Sequence, residues 1–342
     1  MRAVTTPHGH VISARVTAGG VALWGTRPHA LLATCARGPI TVAEDGANLR
    51  IVWKPDASAL VVITDKGFLH FYDISFDLSA PNLQYRFETS HHFARGPGEA
   101  RGILGATISF KMALEIDTGI RSGVGLDDEI LFCTLKSPSI LSLSWLGVVN
   151  EIDTVSLIDL NFVHDAQSAI VQICSNNSMD LFSWITDDGK AYVSRRLEES
   201  DSESQFSNNN TEAYIWAGLC IHNANSDSAA STCTAINSRF LLISVGDAQG
   251  HVTIYSISED GEEIQYSHEL GFPDNERKEH GIVSCMEWTA DGTALAVGWE
   301  LGGLSVWSVF GKLLFTTTSS DQFEDLNFWN AGNYELVVHS NR

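Results

Sequence analysis

The sequence predicts an all-β protein, and three observations carry this prediction. Short runs rich in β-branched and aromatic residues, such as 60–64 and 240–245, lie between turns that contain Asp or Gly. No long segment has the 3.6-residue periodicity of an amphipathic helix. One pattern of strand and turn signals recurs along the chain, and 44% of the residues are hydrophobic, which suffices for a packed core.

The recurring pattern is clearest between residues 53 and 72. A strand ends at Trp53 and is followed by a turn that contains Pro55 and Asp56. Pro presets the backbone φ of such a turn, and the Asp side chain bonds the backbone that follows. The apolar run after it reads as a strand buried on both faces, and a turn with Gly67 then leads into an alternating strand. The unit is therefore a meander of antiparallel strands.

A second copy of this unit aligns with the first without a gap. It contains Trp288, Asp291, Gly302 and Trp307 at the matching positions, and Trp329 begins a third copy of the first half. Because these residues share repeat positions, we interpret them as structural. No strand pattern like that around Trp307 follows the unit that begins at Trp329.

Repeated meanders about 50 residues apart are typical of a WD40-type β-propeller, and the length of the chain then predicts about seven blades. We expect residues 1–342 to form a single propeller region with an incomplete last blade. Either the N-terminal segment closes that blade, or the sequence is the N-terminal fragment of a longer protein. The Ser- and Glu-rich stretch 197–211 is expected to be a disordered acidic loop.

Charge and composition exclude several kinds of partner. The chain carries 42 acidic and 21 basic side chains, a net charge of −21. A nucleic-acid surface needs clustered Lys and Arg, so no nucleic-acid partner is expected, while a basic protein partner is allowed. No stretch has the roughly 20 apolar residues of a membrane span, and neither a secretory signal nor paired cysteines are evident. These features indicate a cytoplasmic protein.

The search for chemistry is negative, and we expect no catalytic, cofactor-binding or metal-binding residues. Acidic pairs beside turns are explained by turn formation, and two adjacent histidines have no third ligand at motif spacing. Trp299 lies outside the repeat pattern next to Glu300 in a turn, so we expect these two residues to form an exposed contact with a partner. The other groups considered are His91-His92, Asp127-Asp128-Glu129 and Asp187-Asp188.

Three stretches resemble a known family, and one of them is residues 329–338. Residues 298–314, from Gly298-Trp299-Glu300 to Gly311-Lys312-Leu313-Leu314, look like a segment of the Ric (ribosome control) protein family. Residues 24–33, followed by Trp53-Lys54-Pro55-Asp56, agree with the same family in order and spacing. Between residues 79 and 279 the sequence resembles the WD-repeat fold in general rather than this family in particular.

The resemblance implies a function without catalytic chemistry. Ric proteins are the large subunit of a guanine-nucleotide exchange factor, which pairs with an Rgp-type partner subunit. The complex acts on a Golgi Rab GTPase in retrograde endosome-to-Golgi transport and needs no cofactor. A C-terminal α-solenoid follows the propeller in the family, and it is absent from this chain. The implied location is cytoplasmic and peripheral on the Golgi membrane, through the complex. No individual exchange residue carries over.

Two alternatives remain open from the sequence alone. The chain could be a generic WD-repeat scaffold for protein interactions in another complex. A propeller hydrolase or lectin is the third possibility, and it would need convergent carboxylates or metal ligands at the central channel.

Overall fold

The structure is a computed structural model in which two compact units are distinguished, Met1–Asp117 and Thr118–Arg342. Each unit is built of antiparallel sheets whose strands follow one another along the chain. The described residues are 2–5, 11–26, 29–77, 105–117, 119–163, 167–176, 180–198, 214–222, 229–258, 263–272, 280–289, 291–301, 303–317, 323–330 and 334–340.

The first unit contains two sheets of four strands each. The first sheet consists of β1 (Arg2–Thr5), β2 (Val11–Thr17), β3 (Gly20–Thr26) and β4 (His29–Ala36). A seven-residue helix, α1 (Pro39–Asp45), connects it to the second sheet. The second sheet consists of β5 (Asn48–Trp53), β6 (Ala59–Thr64), β7 (Phe68–Asp77) and β8 (Gly105–Glu115).

The second unit contains four sheets of four strands and one of two strands. The third sheet consists of β9 (Ile120–Gly125), β10 (Glu129–Thr134), β11 (Ser139–Ser144) and β12 (Val149–Ser156), and a short 3₁₀ helix (Leu157–Asp159) follows it. The fourth consists of β13 (Ile170–Ser175), β14 (Leu181–Thr186), β15 (Ala191–Glu198) and β16 (Tyr214–His222). The fifth consists of β17 (Ser231–Asn237), β18 (Leu242–Asp247), β19 (Val252–Ile257) and β20 (Ile264–Leu270). The sixth consists of β21 (Val283–Trp288), β22 (Ala294–Trp299), β23 (Leu304–Ser308) and β24 (Leu313–Thr317), and the last sheet of β25 (Phe323–Asn330) and β26 (Tyr334–Ser340).

The all-β prediction is confirmed, but the predicted number of blades is wrong. The described strands form six complete four-stranded blades rather than about seven. Within the described residues, the last sheet has two strands, β25 and β26. Among the described residues, β1 pairs with β2 in the first sheet. The predicted acidic loop lies outside the described residues from 199 to 211.

The core lies between sheets, and among the described residues the second strand of each complete sheet is its most buried element. All six residues of β14 and all six of β22 are buried. One apolar cluster joins the first and second sheets, and another joins the fifth and sixth sheets. A sheet that is apolar on both faces needs a neighbour on each side, which is the physical reason for the repeated arrangement.

A polar network fixes the segment around α1 to the second sheet. The carboxylate of Asp45 lies 3.1 Å from Nε2 of His70, a side chain on β7 that is fully buried. Arg37 donates to the carbonyl of Gly46 at 2.6 Å and to Oδ1 of Asn48 at 2.7 Å, and its Nη1 lies 3.4 Å from the same imidazole nitrogen. Burial lowers the pKa of His70 below its ordinary value, Arg37 lowers it further, and Asp45 opposes both.

Truncating a fully buried side chain of a second strand is expected to destabilise the fold strongly. Leu295→Ala on β22 removes packing against the fifth sheet and should reduce the free energy of unfolding by about 2–5 kcal/mol. Leu314→Ala on β24 is the control, because this exposed residue should change stability by about 0.5 kcal/mol or less. Urea unfolding followed by circular dichroism measures both. Equal losses from the two variants would contradict the described packing.

The pKa of His70 is expected to move in opposite directions when its two charged neighbours are neutralised. Arg37→Gln should raise it and Asp45→Asn should lower it, as measured by NMR titration of the imidazole. Because the folded pKa lies below the ordinary 6.5, the stability that depends on neutral His70 is present above that pH. It is lost as the pH falls through the folded pKa. Shifts of the same sign in both variants would refute the network.

Candidate partner-binding surface

The tryptophans at the repeat positions lie inside the sheets. Trp53 ends β5 and Trp288 ends β21, the first strands of their sheets, and both are buried. Trp307 on β23 is buried in the cluster between the fifth and sixth sheets. Trp329 lies on β25 opposite Glu335, and its side chain is outside the described residues.

The acidic repeat positions lie in the turns between first and second strands. Oδ1 of Asp56 accepts the backbone N–H of Ser58 at 2.8 Å, and Oδ1 of Asp291 accepts that of Thr293 at 3.0 Å. Burial raises the pKa of Asp56, but its hydrogen bonds outweigh this effect and hold the pKa below its ordinary value. Each carboxylate therefore organises a turn.

The glycine at the next repeat position also serves a turn where the structure describes it. Gly67 has a φ of +84° in the turn between β6 and β7, a conformation that favours glycine. Gly302, its counterpart in the sixth sheet, lies outside the described residues.

The other polar groups of the sequence analysis are not brought together. Asp127 and Asp128 are exposed in the turn between β9 and β10. Asp188 lies 2.5 Å from Lys190 within its own turn, and hydrogen bonds overcome the effect of burial to lower the pKa of its carboxyl. The pair His91-His92 lies outside the described residues. Among the described residues, no group of three His, Cys, Asp or Glu side chains could hold a metal ion.

The sixth sheet encloses an aromatic cluster that is organised by one hydroxyl. Oγ of Ser305 accepts the indole N–H of Trp299 at 3.1 Å and that of Trp307 at 2.8 Å. The ring of Phe272 meets both indoles edge-on, with centroid distances of 5.6 Å and 5.2 Å. The same phenyl ring stacks on His280 at 4.5 Å.

The expectation of an exposed ring at Trp299 is wrong. The side chain is 2% exposed, because Trp299 is the last residue of the buried strand β22 and its indole bonds to Ser305. Sequence reasoning missed this burial because Ser305 lies on the next strand, and nothing in the local pattern identifies it as the acceptor. Glu300 is half-buried in the turn that follows, and its contact with a partner stays a prediction.

The same sheet has an exposed apolar surface on its outer strand. Among the described strands, β24 pairs with β23 only, which leaves it at the edge of the sheet. Leu314 and Phe315 are 56% and 54% exposed, and Phe310, in the turn before the strand, is 89% exposed. Leu313 completes the set. We call these four residues the β24 surface.

The turn that presents Phe310 is held in one conformation. The backbone N–H of Ser308 donates to the carbonyl of Lys312 at 2.8 Å, and that of Gly311 donates back to the carbonyl of Ser308 at 2.9 Å. Gly311 has a φ of +79°, and a Cβ there would lie 3.0 Å from the ring of His268. An exposed aromatic ring on a fixed turn, next to an apolar edge strand, is a typical protein-binding feature.

Comparison with known proteins shows what this sequence is similar to. No family model matches it. The guanine nucleotide exchange factor subunit RIC1 of Mus musculus is 26% identical in an alignment of 330 residues that covers 88% of this chain and 22% of that protein. The Homo sapiens counterpart is 25% identical over 90% of the chain, and ric1 of Schizosaccharomyces pombe is 24% identical over 90%. Along about 90% of its length, the chain is therefore similar to Ric1 exchange factor subunits. It spans 22% of the two mammalian relatives and 30% of the yeast one.

Solved structures establish the fold. Sqt1 of Saccharomyces cerevisiae superimposes with a TM-score of 0.60 at 12% identity, over 99% of this chain and 80% of that one. The β-propeller domain of Cps50 (Swd1) from Myceliophteria thermophila gives 0.59 at 10% identity, over 94% and 88%. The WD40-type β-propeller is thus confirmed, with six complete blades described. The described part of the chain contains no helix with the length and apolar character needed to cross a bilayer.

Removing the shared hydroxyl is expected to destabilise the sixth sheet. Ser305→Ala leaves two buried indole N–H groups without their acceptor and should reduce the free energy of unfolding by about 2–3 kcal/mol. The control is Ser244→Ala, also fully buried, where a single bond to the carbonyl of Ala235 is lost and about 1 kcal/mol is expected. Chemical denaturation measures the free energy of unfolding of both variants. A smaller loss for Ser305→Ala than for Ser244→Ala would contradict the role of the shared hydrogen bonds.

Proposed function

We propose that this chain is the propeller part of a guanine-nucleotide exchange factor subunit. With an Rgp-type partner subunit, it activates a Golgi Rab GTPase in retrograde endosome-to-Golgi transport. In this proposal it works on the cytoplasmic side of the Golgi membrane and associates with it peripherally through the complex. The observation that carries the proposal is the similarity to Ric1 exchange factor subunits along about 90% of the chain.

The β24 surface supports a role in assembly rather than in covalent chemistry. Three of its four residues, Phe310, Leu313 and Leu314, lie within the stretch 298–314 that resembles the Ric family. Burying Phe310, Leu314 and Phe315 against a partner would remove apolar area from water, which is the main favourable contribution to protein association. We assign this surface to the contact with the partner subunit.

The activity requires differential binding of two GTPase states. An exchange factor accelerates nucleotide release when it binds the nucleotide-free GTPase better than the loaded one, and it opens the switch regions that hold Mg²⁺ and phosphate. No bond to the protein forms and no cofactor takes part. In this scheme the propeller holds the complex together, and the exchange activity belongs to the pair of subunits.

The test measures complex formation and nucleotide release together. The full-length protein is co-purified with the Rgp-type partner, and release of fluorescent GDP from a Golgi Rab is followed. The double variant Phe310→Ser/Leu314→Ser should weaken the complex by about tenfold and reduce GDP release at limiting partner concentration. Thermal unfolding should be unchanged, because both side chains are exposed.

A matched control separates the surface from the function. Leu301→Ser changes another exposed leucine of the sixth sheet, in the turn between β22 and β23, and should leave complex and activity intact. Full activity of the double variant would remove the β24 surface from the interface. If the unaltered protein neither binds the partner nor accelerates GDP release, the exchange-factor proposal fails, and a generic scaffold role takes its place.

A further inference from the structure

A second exposed apolar surface lies on the third sheet, far along the chain from β24. The turn between β11 and β12 carries Leu146 and Val148, which are 67% and 62% exposed. Val149, the first residue of β12, is also exposed. Three apolar side chains therefore protrude within four positions of one hairpin. We call them the β11–β12 tip.

The tip is rigid. The backbone N–H of Ser144 donates to the carbonyl of Val148 at 2.9 Å, and the N–H of Gly147 donates to the carbonyl of Ser144 at 2.9 Å. Gly147 adopts a φ of +77°, which a tight turn of this kind demands. Oγ of Ser144 accepts the N–H of Val148 at 3.2 Å. Little conformational entropy is therefore lost when the tip is bound.

An acidic turn stands beside the tip at the same end of the sheet. The indole N–H of Trp145 donates to the carbonyl of Leu126 at 2.9 Å, which ties the hairpin to the turn between β9 and β10. That turn carries Asp127 and Asp128, both exposed, and its next residue Glu129 pairs in register with Ser144. Carboxylates and apolar side chains thus share one surface.

Among the described residues of the third sheet, no Lys or Arg lies at the end that carries the tip. Arg196 contacts the carboxylate of Glu129, but its side chain is almost fully buried and pairs inside the protein. Exposed Glu151 on β12 adds a further negative charge next to the tip. Lys136 lies in the turn between β10 and β11, at the opposite end of the sheet. The rim of the tip is therefore acidic.

We infer that the β11–β12 tip is a docking site for a basic amphipathic protein segment, one that presents apolar side chains flanked by Lys or Arg. The apolar side chains cover Leu146, Val148 and Val149, and the basic ones face Asp127 and Asp128. Charge complementarity selects this occupant, because it favours encounter and disfavours acidic competitors. A second copy of the chain, with its net charge of −21, would bring like charges together at this rim.

The inference does not depend on the exchange-factor proposal, since it concerns another sheet and another chemistry. Its test starts from a displayed library of random 15-residue peptides, selected on the intact chain and counter-selected on Leu146→Ser/Val148→Ser. The recovered peptides are expected to combine apolar residues with Lys or Arg. Their affinities are then measured by fluorescence polarisation as single synthetic peptides.

Three variants sharpen the measurement. Leu146→Ser/Val148→Ser should weaken binding by about tenfold, and Asp127→Asn/Asp128→Asn by about threefold with a flatter dependence on salt. Ile158→Ser is the matched control, because this residue is 75% exposed beyond the other end of β12 and should bind as the unaltered chain does. Unchanged thermal unfolding confirms that each variant is folded.

The negative outcomes are equally definite. Peptides that lack basic residues, or that bind the serine double variant as well as the unaltered chain, overturn the inference. Failure to recover any peptide that depends on the tip overturns it as well. A loss of binding in Ile158→Ser as large as that in the tip variant would show that the effect is not local.

Discussion

The structure depends on sheets that are apolar on both faces. Every residue of β14 and β22 is buried, so each of these strands needs a packed sheet on either side to be kept from water. This constraint explains why the sheets are repeated. Each added sheet covers one apolar face but brings a new one, which the next sheet must cover. The same constraint also restricts where binding can occur. The faces of the sheets are buried by packing against one another, so the sheet edges and the turns remain for contacts with other molecules.

The sequence predicted the features that depend on only a few neighbouring residues. Trp53 and Trp288 at the ends of first strands, and Asp56 and Asp291 in the turns after them, could be predicted because turn chemistry and burial act over a few residues. The number of complete blades could not be predicted in this way. The third and fourth sheets repeat the pattern only weakly, and their first strands do not end in Trp. Their strands follow the same topology with different turn residues.

The candidate surface was harder to predict, for a reason of topology. Nothing in the local sequence marks Leu313, Leu314 and Phe315 as exposed, since consecutive apolar residues usually lie inside a sheet. Only the strand order shows that β24 is outermost and exposed. Trp299 is the opposite case, because its position outside the repeat suggested exposure, while the hydroxyl of Ser305 on the next strand holds it inside. Whether a single residue is buried depends on neighbours from other strands, and the local sequence does not identify those neighbours.

The exposed edge of β24 has a consequence for how the protein behaves in isolation. An unpaired apolar strand is a template on which another polypeptide can add a strand, including an aggregating copy of the same chain. The strong negative charge opposes this by mutual repulsion, and dissolved salt weakens repulsion but strengthens apolar association. Solubility without a partner is therefore an electrostatic balance, and co-expression with whatever caps this edge is the natural route to a well-behaved sample.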